Sequence, residues 1–287
     1  MQGTDAATVF SWLYMVVVGI LWLVALVLAA RHTPAAEVDK SRGWRLAGLY
    51  ALCLLPSVVA TIALFDLTPT LNGSDAIKSA VSTGASAGLV AGALGGLLVR
   101  WVWMVLVLPY TEAIRAGAFP WTYRGRRDPA MAPAAAFGVL SAAVSMGVAA
   151  MLGVGEGSGF QALRLMLPGM QDLHWSLLLL VGVTGVSAIA LFEEVLFRGV
   201  LQRGLARMLG GSTAAGWVAI VLSSAVWTLG HAANTDNLGF KFTQIFLLGL
   251  VFGWLARHRS VESAVAAHVG LNAASVVGGL LLTPCSA

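Results

Sequence analysis

The sequence predicts an all-α, polytopic transmembrane bundle of about eight spans. Composition comes first: 58% of the 287 residues are hydrophobic and only 10% are charged, where soluble domains run near 45–50% and about 25%. Mean hydropathy is +0.84. The apolar stretches are also about 20 residues long, enough for a helix to cross about 30 Å of hydrocarbon, and do not alternate over about 10 residues as barrel strands do. These features exclude an ordinary soluble enzyme, a disordered chain and a nucleic-acid-binding domain. The net charge of +4 rests on 17 Lys and Arg against 13 Asp and Glu, too few for a polyanion-binding surface. The expected environment is the cell membrane, with lipids as the first partner.

The expected spans are 9–30, 44–65, 79–109, 134–154, 176–197, 213–231, 242–256 and 261–282. The first lacks a basic leader and is too long for a signal-peptide core, so it is read as a span. In the third, Gly84, Gly88, Gly92 and Gly96 recur every four residues and form a smooth stripe for close helix packing. The 110–133 stretch, with Pro120, Pro129 and Pro133, separates an N-terminal part (1–133) from a C-terminal helical core (134–287) of the same membrane domain. Basic residues support this order. The loops after the first, third, fifth and seventh spans hold thirteen of the seventeen Lys and Arg, from Arg31 to Arg259. By the positive-inside rule those loops face the cytoplasm and both termini lie outside. Cys53 and Cys285 form no metal or disulfide pattern.

Charged and polar residues inside apolar spans are costly and mark functional sites. Three clusters stand out, all in the C-terminal core. In Glu193-Glu194-Val195-Leu196-Phe197-Arg198, Glu194 and Arg198 share a helix face and can pair, whereas Glu193 is rotated about 100° away and left free. In Trp227-Thr228-Leu229-Gly230-His231 the aromatic ring and the imidazole lie one turn apart. His268 and Asn272 share a face of the last span. Spans five and six form a hairpin turning at Gly210-Gly211. At roughly 1.5 Å per residue, Glu193 and His231 stand at similar heights on its two arms, and His268 and Asn272 return toward that height.

A free carboxylate beside a histidine can deprotonate water, and a second histidine with a carboxamide can donate hydrogen bonds to an oxyanion. That set suits amide hydrolysis by activated water. Ser223 and Ser224 lack the Gly-x-Ser-x-Gly context of a nucleophile elbow. A zinc site is a second reading, with Glu193, His231 and His268 as ligands and water as the fourth. A transporter or channel with a Glu/His proton relay is a third, although the ionisable motifs occupy one half of the chain only.

In their order and on separate spans, Glu193-Glu194-x-x-x-Arg198, Trp227-x-x-x-His231 and His268-x-x-x-Asn272 resemble the motifs of the CAAX-protease and bacteriocin-processing family, which includes the type II CAAX prenyl endopeptidases. The resemblance covers roughly 176–282. Trp227 stands where Phe is common and keeps an aromatic wall. The resemblance implies an eight-helix intramembrane endopeptidase acting on a peptide or lipidated-protein substrate. It implies Glu193 and His231 as the water-activating pair, His268 and Asn272 on the oxyanion side, and Glu194, Arg198 and Trp227 as structural support. Family members have been described both as metalloproteases and as metal-free glutamic proteases. The metal-free mechanism, with no cofactor, is favoured here because a carboxamide and a second histidine suit an oxyanion hole.

Overall fold

The computed structural model describes residues 129–153, 175–231 and 238–282. The expected spans 9–30, 44–65 and 79–109, the Gly84–Gly96 stripe and most of the 110–133 stretch lie outside these residues. Every described element is helical. Helix α1 is Met131–Met151. Helix α2, Trp175–Glu194, runs directly into a π-helical segment, Val195–Gln202, and then into the short helix α3, Arg203–Met208. Helices α4 (Thr213–Leu229), α5 (Leu238–His258) and α6 (Val261–Leu282) follow. Among the described residues, four helices are long and apolar enough to cross a membrane: Met131–Met151, Leu179–Met208, Gly239–His258 and Val261–Leu281. The 17-residue α4 is apolar but shorter than the usual span.

The fifth expected span ends at 197 because Arg198 reads as the start of a charged loop. The helix instead continues to Met208. Its extension is explained by burial: Arg198 has its charge partner inside the bundle, so it does not mark the water boundary. Glu193 and Glu194 consequently fall at mid-length of the 30-residue Leu179–Met208 helix.

The α3–α4 turn follows from its sequence. Gly210 and Gly211 both have positive φ, 89° and 70°, a conformation that costs glycine no Cβ clash. The Gly211 amide donates to the Ala206 carbonyl and the Gly210 amide to that of Arg207, closing the helix with the paired bonds of a Schellman motif. Ser212 then caps α4, its hydroxyl accepting from the Ala215 amide at 3.1 Å. Ser260 does the same for α6 through the Ser263 amide. At the α5 end, Trp254 is 39% exposed and stacks on His258, ring centroids 5.3 Å apart, as a membrane-interface aromatic does.

Helices α1 and α6 cross backbone to backbone. Small residues Ala134, Gly138 and Ala142 recur every four positions on the buried face of α1, the pattern that lets helices approach closely. A Cβ on Gly138 would run into the Ala267 carbonyl and the Leu271 amide, and a Cβ on Gly270 into the Ala135 carbonyl. This crossing fixes α6 and therefore His268. Gly270→Ala is expected to destabilise the protein by about 1–3 kcal/mol, as overpacking does. Gly147→Ala, where a Cβ meets nothing within 4 Å, is expected to be neutral or slightly stabilising. Thermal unfolding in detergent checks the contrast, and equal melting temperatures for the two variants would contradict it.

Candidate active site

Four helices meet around a buried polar cluster. Helix α2 supplies Glu193 and Glu194 at its C-terminal end, the π segment supplies Arg198, α4 supplies Trp227, and α6 supplies His268. The π segment has wider turns than an α-helix. Such segments are rare and gather at functional sites; Gly199 lies near its middle.

Glu194 and Arg198 are fully buried. Arg198 Nε donates to Glu194 Oε2 at 3.3 Å, so the pair expected from the spacing forms. Arg198 Nη1 also donates to Ser223 Oγ at 3.1 Å and to Ser224 Oγ at 3.3 Å, and its guanidinium lies 5.3 Å from the Trp227 ring centroid, within cation–π range. The Ser223 hydroxyl in turn donates to the Ile220 carbonyl. These serines, set aside as nucleophiles by their context, serve here to satisfy a buried arginine.

Glu194 has a second partner. Its Oε1 lies 2.9 Å from His268 Nδ1. A carboxylate only accepts, so Nδ1 carries the proton, and Nε2 is turned to the other side of the ring. Phe252 of α5 stacks on this imidazole at 5.1 Å. His268 Nε2 stands 4.0 Å from Glu193 Oε2, beyond hydrogen-bond reach.

Glu193 is the more open carboxylate, with its side chain 20% exposed against 1% for Glu194. Trp227 Nε1–H donates to Glu193 Oε2 at 2.8 Å. The same indole meets His231 and His268 edge-on, with centroids 5.2 and 5.3 Å apart. His231 Nδ1 lies 2.9 Å from the Trp227 carbonyl, which accepts its proton and leaves Nε2 as the imidazole's acceptor. The structure therefore links Glu193, Glu194, Arg198, Trp227 and His268 through a chain of pairwise contacts. His231 joins through Trp227 and makes no hydrogen bond or ion pair with Glu193. Asn272, one turn beyond His268, is half-buried and makes no hydrogen bond to the described residues.

The proposed zinc set can be compared with this geometry. Among the described residues, no three His, Cys, Asp or Glu side chains are grouped to hold a metal ion. Glu193 and His268 approach each other, and His231 and His268 each bond through Nδ1, which leaves Nε2 as the ring atom that a metal would take.

Sequence comparison adds a family likeness. Residues 174–274 match the Rce1-like family of type II CAAX prenyl endopeptidases. The match supports a protease of the CAAX-protease and bacteriocin-processing family. It spans about a third of the 287-residue chain and includes all seven motif residues, from Glu193 to Asn272. No curated protein and no solved structure matches the chain. Together with the four apolar helices, the family match describes a multi-pass membrane protein.

Proposed function

We propose that the protein is an intramembrane endopeptidase that cleaves a peptide bond of a membrane-associated substrate, prenylated or leader-bearing, with water activated by Glu193 and His231. One observation supports this most: the free carboxylate, Glu193, is held at the centre of an apolar bundle beside His268, inside the segment that matches the endopeptidase family. Glu193 Oε2 is engaged by Trp227, so Oε1 is the oxygen left to take a proton from water. The water oxygen attacks the scissile carbonyl carbon. The carbonyl π pair moves to its oxygen, and His268 and Asn272 donate to that oxyanion. Because His268 Nδ1–H is given to Glu194, donation from Nε2 requires the imidazolium form. The tetrahedral intermediate collapses with loss of the C–N bond, and the proton held by Glu193 passes to the leaving amine. His231 Nε2 relays protons at the same water.

This reading takes the chain as eight spans in two parts, 1–133 and 134–287, with both termini outside and no metal cofactor. Purified full-length protein in nanodiscs, given farnesylated and leader-bearing peptides, is the test. Cleavage that persists in a strong chelator is the expected result. Loss of cleavage on chelation, with recovery on added zinc, would replace the glutamic mechanism by a metal-dependent one. No cleavage, together with proton-coupled flux in liposomes, would replace the protease by a transporter.

A further inference from the structure

We infer that Trp227 is a positioning residue for the general base, acting through its indole N–H and not through its ring alone. The inference rests on the reading of Glu193 as base. Three observations carry it. The indole Nε1–H donates to Glu193 Oε2 at 2.8 Å, the short distance typical of a charge-assisted bond. The same oxygen is the one nearest His268 Nε2, at 4.0 Å. The indole ring is also wedged edge-on against both His231 and His268, with Gly249 leaving its outer edge room: a Cβ there would come within 3.2 Å of Trp227 Cε3.

Without the N–H, a partly open carboxylate in an apolar bundle has one strong alternative partner. It can close the remaining gap to His268 Nε2 and form an ion pair with it. That collapse would occupy the base and the oxyanion-side imidazole together. The indole bond prevents this by holding Oε2 in place, which leaves Oε1 for water and His268 Nε2 for the substrate. A phenyl ring at this position would preserve the wall but supply no donor.

Trp227→Phe separates the two roles. Deleting one hydrogen bond to a charged group is expected to lower kcat about 10- to 100-fold, with KM within about twofold because substrate binding is untouched. On a Glu193→Gln background the same change should remove little further activity, since both act through one group. Unchanged kcat in Trp227→Phe, or fully multiplicative losses in the double variant, would overturn the inference. A second readout does not depend on activity. The indole ¹H–¹⁵N resonance that disappears in Trp227→Phe should move upfield in Glu193→Ala, and an unmoved resonance would also overturn it. If the wild type cleaves no peptide, the protease reading fails, and the indole resonance alone decides whether Trp227 holds Glu193.

Discussion

Glu193→Gln is expected to reduce peptide hydrolysis by about 10² or more, the typical contribution of a positioned acid–base group, while the protein folds and inserts normally. The expectation of normal folding comes from the geometry. Gln is nearly isosteric, and its carboxamide oxygen can still accept the Trp227 N–H that now reaches Oε2 at 2.8 Å. Glu193 is not bonded to a buried arginine as Glu194 is to Arg198, so the change strands no guanidinium. What disappears is basicity at the oxygen that faces water. Turnover close to wild type, measured on matched amounts of folded protein, would show that another group takes the proton. His231 would then be the first candidate, because its Nδ1 is fixed on the Trp227 carbonyl and its Nε2 is available.

The site was legible in the sequence to the extent that it consists of ionisable residues where lipid-facing helices should have none. Glu193, Glu194, His231 and His268 are conspicuous for that reason alone. The four-residue spacing was enough to pair Glu194 with Arg198. The hairpin turn was legible from Gly210-Gly211, since two adjacent glycines suit two positive φ angles. Three features could not be read. The π segment at Val195–Gln202 has no distinctive residue pattern, because its wider turns are imposed by packing and not by propensity. The bond from His268 to Glu194 joins residues 74 positions apart, and helical spacing says nothing about which carboxylate a distant imidazole will meet. The length of the second long helix was underestimated because charge is read as exposure, whereas Arg198 is buried among Glu194, Ser223 and Ser224. Trp227 reads from the sequence as an aromatic wall, whereas its donor role depends on how α4 is rotated against α2.

The largest effect on stability is expected at Arg198. Its guanidinium is fully buried and holds together three elements: it bonds Glu194 at the end of α2 and Ser223 and Ser224 on α4. Arg198→Ala leaves Glu194 in an apolar bundle with His268 as its one remaining ionisable partner among the described residues. Removing one member of a buried pair costs about 3–5 kcal/mol, chiefly because the other charge is left uncompensated. Glu194→Ala strands the arginine in the same way and in addition frees His268 Nδ1, so whatever folds should also be catalytically impaired. Both single variants are expected to give low folded yield and a lowered melting temperature in detergent. The double variant Glu194→Gln/Arg198→Met distinguishes a charge penalty from a packing one. It removes both charges, keeps similar volumes, and leaves a carboxamide oxygen to accept from His268. Replacing a whole buried pair by neutral groups is often close to harmless, so this variant should recover most of the lost stability. If it is no more stable than Arg198→Ala, the arginine matters for its hydrogen bonds to Ser223 and Ser224 and its contact with Trp227, not for its charge. If both single variants melt with the wild type yet cleave nothing, the pair belongs to the chemistry, and the assignment of the base to Glu193 alone must be abandoned.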